Sequence, residues 1–389
     1  MTASTTHFDA IVLGVGVMGA ATLLSLARRG VRALGLEQFT IPNHLGSSHG
    51  ESRIFRVGYY EHPDYVPLLQ KSRAAWLALN AEIGQEIFLP TGGLWIGPRA
   101  SELIAGTLHA AQLHTLSYEL VVEPDELRKR APFLQIHDSS SDDGIIGFFE
   151  KDACTLRPEA AVAAIAQLAR NSGATICEHA RVQQWNCTSS SVTVTTQDHD
   201  TFSADRLIIT AGPWSNTAIA SDAVRCQTTR QIAAWFEVQN AQDGSTFGPN
   251  TMPCWAMVRN DHGFYYGFPS LDGSRTAKVS LHERGSECDP NNLDRTASQK
   301  DVEVLQQFVT RSMPGLRSEP VRTSVCMYTN SCDGHFLLDH HPDHAGRVVI
   351  GCGFSGHGFK FAPMIGEILA DLALKGTTIP EAAFLARRT

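Results

Sequence analysis

Of all features of this sequence, a glycine-rich turn after an apolar strand limits the possible folds most. Residues Phe8 to Leu13 predict a strand, and a helix is predicted from Gly19 to Arg29. Between them, "GVGVMG" places Gly14, Gly16 and Gly19 in the spacing G-x-G-x-x-G. The first glycine permits a tight turn, the second lets the backbone approach a pyrophosphate, and the third packs helix against strand. The turn therefore predicts a βαβ unit that binds a dinucleotide at a helix N-terminus.

An acidic residue stands at the place where such a unit binds ribose. Glu37 ends the next predicted strand, Arg32 to Glu37. It lies about 20 positions after Gly14, the separation typical of a carboxylate that binds ribose hydroxyls. A carboxylate disfavours a 2′-phosphate, so the sequence favours FAD or NAD over NADP. Taken alone, the pattern also permits a chance glycine-rich turn with a solvated Glu37.

Composition limits the class of protein. With 389 residues, 43% hydrophobic and 19% charged, the chain is long enough for about two domains of roughly 150 residues. A formal net charge of −8 argues against a nucleic-acid partner and indicates small-molecule chemistry. The uncharged run from Ile11 to Ala27 approaches the roughly 20 residues of a membrane span. Its glycines and the preceding Asp9 instead predict a buried strand and helix, so we expect no membrane partner.

Cysteine and histidine usage bears on metals and redox state. The nine cysteines are scattered and form no CxxC pair, which fits a reducing compartment without a disulfide framework. The cluster "DHHPDH", Asp339 to His344, has metal-ligand residue types. Pro342 and Asp343 instead predict an exposed turn, so we expect no metal. Cys326 could be a packed core cysteine, a redox thiol paired with Cys332, or a nucleophile.

Further elements follow along the chain. Pro158 and Gly173 are placed to begin and end a helix, and Val192 to Thr196 alternates as a strand. Four strand-like runs between Cys226 and His282 predict a second sheet. The run from Arg347 to Leu374 predicts a strand, a glycine-rich turn and a helix of about four turns.

The fold class predicted is therefore α/β, with two domains. A discontinuous Rossmann-type dinucleotide-binding domain is expected over residues 1–80, 150–220 and 325–389. A mainly antiparallel β-sheet substrate domain is expected to be inserted over residues 81–149 and 221–324.

Four separated motifs make the chain resemble a known family. They are "GSSHGESRIFR" (Gly46 to Arg56), "YYGFPS" (Tyr265 to Ser270), "CMYTN" (Cys326 to Asn330) and "GFSGHGFKFAP" (Gly353 to Pro363). Together they resemble the monomeric sarcosine oxidase family of flavoenzymes, which includes N-methyltryptophan oxidase and the peroxisomal pipecolate oxidase. The resemblance extends from about Phe8 to the region of Phe384 and implies FAD as cofactor.

The resemblance also implies how the flavin is attached. In that family FAD is joined through its 8α-methyl group to a cysteine that matches Cys326. A thiolate is the soft nucleophile that such a thioether requires. Strand alternation predicts that Cys326 and Tyr328 lie on one face. The cofactor-binding residues that we predict are Gly14, Gly16, Met18, Gly19, Glu37, Ser47, Arg56, Val182, Cys326, Gly356, His357, Gly358 and Lys360.

Basic residues are assigned two roles by the resemblance. Arg53 and Lys360 match the family's ligands for the substrate carboxylate, and arginine suits a carboxylate through its two-pronged guanidinium. Alternatives are an ion pair of Arg53 with Glu51 and a helix-surface charge at Lys360. Lys278 matches the lysine that promotes reaction with O2, where a fixed positive charge stabilises superoxide. That match relies on aligning "K-x-x-x-H", and a strand-surface lysine is the alternative.

Neutral histidine and tyrosine side chains complete the predicted site. Such groups can hydrogen-bond an amine or a flavin and keep the substrate nitrogen deprotonated, although each could be a structural polar residue. Ser48 stands where some family members have a second histidine. The predicted catalytic residues are Lys278, His49, Arg53, Tyr266, His282 and Tyr328, and the predicted substrate-binding residues are Arg53, Lys360, Tyr266 and Tyr328.

The function implied is oxidation of a secondary amino acid such as sarcosine, pipecolate or N-methyltryptophan. Hydride passes to the flavin N5, O2 is reduced to H2O2, and the imine is hydrolysed to an aldehyde and an amine. Alternatives are an NAD-dependent dehydrogenase and a flavin dehydrogenase or redox-sensing flavoprotein that does not use O2. Pocket size depends on loops around Tyr59, Trp255 and Phe264. We expect a monomer, and the ending "LARRT", which is no peroxisomal address, predicts a cytoplasmic location.

Overall fold

The computed structural model describes residues 6–136, 144–240, 246–259, 263–271 and 273–386, so the last three residues of "LARRT" lie outside these ranges. The strands, in chain order, are β1 (Thr6–Leu13), β2 (Ala33–Leu36), β3 (Arg53–Phe55), β4 (Phe88–Leu89), β5 (Gly93–Pro98), β6 (Glu119–Val121), β7 (Ile145–Glu150), β8 (Cys154–Leu156), β9 (Thr175–Cys177), β10 (Val182–Cys187), β11 (Val192–Thr196), β12 (Thr201–Ile209), β13 (Gln227–Val238), β14 (Cys254–Arg259), β15 (Gly263–Phe268), β16 (Thr276–Leu281), β17 (Leu316–Asn330), β18 (Leu337–His340) and β19 (Val348–Cys352). The α-helices are α1 (Val17–Arg28), α2 (Val66–Ile83), α3 (Glu102–Leu113), α4 (Pro124–Arg130), α5 (Pro158–Asn171), α6 (Ser215–Ile219), α7 (Gln299–Ser312) and α8 (Ala362–Lys375).

The first sheet is the predicted dinucleotide-binding sheet. Its parallel part has the order β9-β2-β1-β12-β19, and β10, β11 and β18 are added antiparallel. The predicted βαβ unit is confirmed as β1, α1 and β2. Because β1, β2 and β12 are parallel, their carboxyl ends at Leu13, Leu36 and Ile209 meet at one edge of the sheet.

The uncharged run near the N-terminus is buried inside this layer. Every residue of α1 from Val17 to Ala27 is buried, and the helix packs against α5 and α8. Gly366 of α8 permits the close approach, because a Cβ there would lie 2.5 Å from the backbone carbon of Ala21. Among the described residues, no helix has the length and apolar character needed to cross a bilayer.

The second sheet is mainly antiparallel. Its order is β17-β13-β16-β15-β14-β5-β7-β6, and of these pairs β14 and β5 run parallel. The four strands predicted between Cys226 and His282 are confirmed as β13 to β16. The predicted domain boundary at residue 325 falls inside β17. That strand pairs continuously with β13 up to Asn330, so residues 325–330 belong with the second sheet. The remaining division into domains stays a prediction.

A third, small sheet has the order β3-β8-β4. It pairs Arg53 with Leu156 and Phe55 with Cys154, directly before α5. The segment "GSSHGESRIFR" is thereby held close to both larger sheets, because β7, which precedes β8, belongs to the second sheet and α5, which follows β8, packs on α1 of the βαβ unit.

The predicted exposed loop at Asp339 to His344 is only partly correct. Asp339 and His340 end β18, where they pair with β19. His341 is 2% exposed, and its Nε2 lies 2.9 Å from the carbonyl oxygen of Ile219. The first half of the cluster is thus paired in a strand or buried, and the turn begins only at Pro342. Within the described ranges, no three His, Cys, Asp or Glu side chains form a group that could hold a metal ion.

Candidate active site

A groove of about 560 Å³ lies along the carboxyl edge of the first sheet. Its glycine turn is packed as the spacing predicts. A Cβ at Gly14 would lie 2.7 Å from the carbonyl oxygen of Thr210, and one at Gly19 would lie 1.9 Å from that of Gly14. At Gly16, by contrast, a Cβ would meet only the Oγ of Ser48, at 3.7 Å. Protein packing therefore requires the first and third glycines, whereas the second leaves room for a ligand.

Glu37 reaches from the end of β2 into this turn. Its carboxylate accepts hydrogen bonds from the backbone N–H groups of Val15, at 2.8 Å, and Phe39, at 3.1 Å. Burial raises the pKa of this carboxyl, and the N–H groups partly oppose the increase. A solvated Glu37 is thus excluded. Other predicted cofactor-binding residues that line the groove are Met18, Ser47, Val182, Gly356 and Gly358.

A smaller cavity of about 100 Å³ adjoins the groove on the side of the second sheet. Four residues line both spaces, namely Arg53, Tyr328, Gly356 and Phe359. Predicted site residues that line the smaller cavity are His49, Arg53, Arg56, Tyr266, Lys278, His282, Cys326, Tyr328, Gly356, His357 and Lys360. The structure thus brings together every predicted catalytic and substrate-binding residue.

Cys326 lies where the two spaces approach each other. Ser324, Cys326 and Tyr328 alternate along β17 and line the smaller cavity, so the predicted common face is confirmed. The Sγ of Cys326 is 3.8 Å from the carbonyl oxygen of Ser47, a groove residue. Cys326 is half-buried and not a packed core residue, and both it and the exposed Cys332 are free thiols.

Lys278 is a buried lysine on β16. It is 4% exposed, and its Nζ donates to the carbonyl oxygens of Gly50, at 2.6 Å, and Ser52, at 3.1 Å. Burial and, after it, the positive charge of Arg53 lower the pKa of Lys278 to about 7. The alternative of a strand-surface lysine is wrong.

Lys360 is buried just before α8. It is 5% exposed, its Nζ donates to the carbonyl oxygen of His357 at 2.6 Å, and it lies 5.2 Å from the ring centre of Tyr59. Burial, followed by the charge of Arg56, lowers the pKa of Lys360 to about 7. A helix-surface charge is therefore excluded at this position.

Arg53 is fixed by main-chain carbonyl groups. Its guanidinium donates to the oxygens of Ser52, Ser47 and His49, at 2.8, 2.9 and 2.5 Å respectively. The alternative ion pair with Glu51 is not formed, because Glu51 pairs with Arg322. Two of the five guanidinium N–H groups remain for a ligand.

His49 is the most unusual polar side chain of the cavity. It is 2% exposed, and within the described residues neither ring nitrogen has a hydrogen-bond partner. Burial, followed by the charge of Arg53, lowers its pKa to about 3, so the ring is neutral near pH 7. A buried polar group without a partner costs roughly 1–3 kcal/mol. This cost indicates that a bound molecule supplies the missing partner.

Tyr328 and His282 form a neutral pair. The Tyr328 hydroxyl lies 3.2 Å from Nδ1 of His282, and Tyr266 is hydrogen-bonded to Tyr328. Burial lowers the pKa of His282 to about 4 and raises that of Tyr328. Both groups can therefore exchange hydrogen bonds with an amine without carrying charge near pH 7.

Two residues predicted to bind the cofactor are engaged by protein partners. The His357 ring lies between the Tyr59 hydroxyl, 2.6 Å from Nδ1, and the Gly334 carbonyl oxygen, 3.0 Å from Nε2. Arg56 pairs with both carboxylate oxygens of Glu61, at 2.5 and 2.6 Å. Both side chains line the smaller cavity and not the groove, so their contact with a cofactor stays a prediction.

The residues proposed to set the pocket size are only partly correct. Phe264 lines the cavity, whereas Trp255 is fully buried in the core of the second sheet. Alternation along β14 turns the next residue, Ala256, towards the cavity instead. Tyr59 is also fully buried, and its neighbour Tyr60 takes its place in the wall.

Sequence analysis missed three carboxylates. Glu61 faces Arg56. Burial acts to raise the pKa of Glu61, but the charge and the hydrogen bond of Arg56, together with other nearby positive charges, outweigh it and lower the pKa to about 2. Glu159, in the first turn of α5, accepts from the backbone N–H groups of Gly50, at 2.5 Å, and Glu51, at 3.1 Å. Glu150 does the same for residues 57 and 58. Only Glu159 had a usable signal, because an acid beside Pro158 marks a helix N-terminus.

Comparisons with known proteins agree with this arrangement. A family model described as "FAD dependent oxidoreductase" matches residues 9–372. The monomeric sarcosine oxidase of Streptomyces avermitilis is 37% identical over 372 residues, which cover 95% of this chain and 94% of the relative. The N-methyl-L-tryptophan oxidase of Salmonella arizonae is 32% identical, with 95% of each chain covered. A solved structure of an unusual amino acid oxidase of nikkomycin biosynthesis has a TM-score of 0.84 at 24% identity, covers 99% and 98% of the two chains, and supports the fold alone.

Proposed function

We propose that this chain, which belongs to the family of FAD-dependent oxidoreductases, oxidises a small secondary amino acid with FAD bound in the groove. The observation that carries this proposal is the cavity beside the groove, where Arg53 and Lys360 supply positive charge and His282 and Tyr328 are neutral. An amino acid with an ionised carboxylate and a deprotonated amine fits this combination of cationic and neutral groups.

The residues present fit FAD. Gly16 leaves room for a pyrophosphate, Glu37 lies in the groove wall, and His49 lacks hydrogen-bond partners among the described residues. When bound, FAD accepts a hydride from the carbon beside the substrate nitrogen and passes the electrons to O2, which yields H2O2. Cys326 is the proposed point of attachment through the 8α-methyl group, because it lines the smaller cavity and its Sγ lies 3.8 Å from the carbonyl oxygen of Ser47 in the groove wall.

Substrate binding is assigned to two of the basic side chains that line the cavity. Arg53 donates its remaining N–H groups to the substrate carboxylate, and Lys360 adds a second positive charge. A bound carboxylate stabilises the charged form of Lys360, whose pKa is about 7 without a ligand.

The amine is held by neutral groups. His282 and Tyr328, with Tyr266 behind them, hydrogen-bond the substrate nitrogen and stabilise its deprotonated form, which is the form that releases hydride. Lys278 also lines the cavity, where its charge stabilises superoxide as O2 is reduced. After release, the imine is hydrolysed to an aldehyde and an amine, or remains a cyclic imine when the substrate is cyclic.

Two measurements test the proposal. Protein purified and precipitated with acid should retain yellow flavin in the pellet, whereas Cys326→Ala should release any bound flavin to the supernatant. A panel of sarcosine, pipecolate and N-methyltryptophan should contain at least one compound that yields H2O2 with O2. A colourless pellet from the wild type contradicts the covalent attachment. Flavin that no member of the panel reduces without O2 contradicts the oxidase.

A further inference from the structure

A buried carboxylate on the second sheet accepts hydrogen bonds from the segment that carries the cavity residues Arg56, Tyr60 and Glu61. Glu150, the last residue of β7, is 3% exposed. One of its oxygens accepts from the N–H of Val57 at 2.5 Å, and the other accepts from the N–H of Gly58 at 3.2 Å. Arg56 precedes this corner, and Tyr59 follows it. The carboxylate thus fixes two consecutive peptide groups between them.

The corner is rigidly connected to the cavity. Arg56 donates through Nη1 to the carbonyl oxygen of Gly58, at 3.1 Å. Tyr59 contacts Lys360 through its ring and His357 through its hydroxyl. A Cβ added to Gly58 would lie 2.9 Å from Cγ2 of Thr107 and 3.4 Å from Oε2 of Glu150, so the corner has no free space. Any shift of the corner therefore moves the surroundings of Lys360.

The charge of Glu150 is set by its burial. The charged and titratable groups that face it are Arg56, the thiols of Cys154 and Cys254, and Arg73 and Asp152 across a neighbouring cavity. Among the described residues it makes no ion pair, and burial raises its pKa to about 7 although the N–H groups of the corner oppose the increase. An ionised carboxylate accepts through both oxygens, whereas a protonated one carries a hydrogen on one of them.

We propose that Glu150 is a positioning residue, whose ionised carboxylate holds the Val57–Gly58 corner in the geometry that binds a substrate carboxylate. Its protonation frees one N–H and loosens the support of Arg56 and Tyr59. The inference rests on the proposed function only in that the ligand of the cavity is a carboxylate.

The two buried lysines act in the opposite direction and must be separated from this effect. Lys278 and Lys360 lose charge as the pH rises through about 7, which weakens the binding of an anion. Ionisation of Glu150 over the same range strengthens it. The ratio of dissociation constants between Glu150→Gln and the wild type cancels the contribution of the lysines, because both proteins contain them.

The test is calorimetric titration of the FAD-loaded proteins with acetate, a carboxylate that cannot be oxidised as an amine. For Glu150→Gln we expect a ratio near one at about pH 5.5 and a ratio of about five at about pH 8.5. Glu159→Gln is the matched control. Backbone hydrogen bonds and the charge of Arg53 outweigh burial at Glu159 and lower its pKa, so the ratio of dissociation constants between Glu159→Gln and the wild type should not change between about pH 5.5 and 8.5. A ratio for Glu150→Gln that is constant with pH, or a wild type that does not bind acetate, overturns the proposal.

If Glu150→Gln does not fold, a second variant alters the same Val57–Gly58 corner. Gly58→Ala displaces the corner against Thr107 and keeps the carboxylate, so acetate binding should weaken about fivefold at about pH 8.5, where Glu150 of the wild type is ionised. Unchanged affinity in Gly58→Ala contradicts the proposal. Neither titration requires turnover. A panel of amines that gives no H2O2 would therefore refute the oxidase activity, but the acetate titrations could still be interpreted.

Discussion

The groove and the smaller cavity meet at Tyr328 and Gly356, but they are built in different ways. The groove wall includes the glycines of two turns, among them Gly14, Gly16, Gly356 and Gly358, and the carboxyl ends of parallel strands. The cavity consists of buried side chains, among which Lys278 and Lys360 have pKa values lowered to about 7. The backbone groups of the glycine turn do not titrate, so the binding of a pyrophosphate at that turn is expected to depend little on pH. Chemistry in the cavity is expected to change around neutrality.

The largest expected effect is a loss of O2 reactivity in Lys278→Met. Loss of a fixed charge beside developing superoxide should slow flavin reoxidation roughly 10²–10³-fold, as for other lost transition-state donors. In the wild type the rate should fall as the pH rises through about 7, because Lys278 is charged only below its pKa. Stopped-flow reoxidation of the reduced enzyme measures both. Lys360→Met is the control, with a raised KM and unchanged reoxidation, and equal slowing in both variants would refute the assignment.

The second effect concerns stability and sharpens the contrast in pH dependence. The folded-state pKa of Glu150 is raised from 4.5 to about 7, so its stabilising contribution is present below about pH 4.5 and is lost as the pH rises through about 7. Relative to Glu150→Gln, the wild type should lose about 3 kcal/mol of unfolding free energy over that range. Denaturant unfolding at several pH values measures the difference. Glu159→Gln should show the reverse, with a contribution lost only as the pH falls below about 4.5. A constant difference for Glu150→Gln would be evidence against the burial effect.

The third test separates two glycines of the groove. Gly19→Ala places a Cβ 1.9 Å from a carbonyl oxygen and should destabilise the apoprotein by about 1–3 kcal/mol. Gly16→Ala meets only a hydroxyl at 3.7 Å, so its apoprotein should unfold at the wild-type temperature but bind FAD more weakly. Thermal unfolding and FAD titration, both in a Cys326→Ala background, provide the comparison. Equal loss of stability in both variants would show that the space at Gly16 is not reserved for a ligand.

The smallest expected effect lies in the neutral pair of the cavity. Tyr328→Phe removes the hydrogen bond to His282, which is worth about 1 kcal/mol, and should lower kcat/KM roughly fivefold. Steady-state kinetics with the best substrate of the panel measures it. Tyr118→Phe, whose ring stacks on Phe148 outside the cavity, should leave kcat/KM unchanged. An unchanged value in Tyr328→Phe would remove the hydroxyl from the mechanism.

The same contrast explains what could be predicted from the sequence. The turn from Gly14 to Gly19 and the unit β1-α1-β2 follow from local spacing and periodicity, and both are found. The joining of β5 to β14 pairs residues 93–96 with 254–257, and no local pattern indicates such a contact. The predicted domain boundary falls within β17 because the motif at Cys326 is visible in the sequence, whereas the length of its strand is set by pairing with β13.

The candidate site shows the same division. Lys278 and Lys360 were identified by resemblance, since a single lysine in a sequence is most often at the surface. Their burial, and hence their lowered pKa values, depends on residues far away in the chain. Glu61 and Glu150 carry no spacing signal at all. A carboxylate that accepts hydrogen bonds from backbone N–H groups is recognised only once the course of the folded backbone is known.

The peptide groups around Gly50 determine when the enzyme becomes complete during synthesis. The N–H of Gly50 is bonded to a side chain 109 positions later, and its carbonyl oxygen to one 228 positions later. The glycine turn can form as soon as β1, α1 and β2 have emerged from the ribosome. The loop that carries His49 must wait for residues that are translated much later, because such long-range closures come after local ones. A nascent chain is therefore expected to hold a finished nucleotide turn beside an unfinished catalytic loop, and to become an enzyme only near the end of translation.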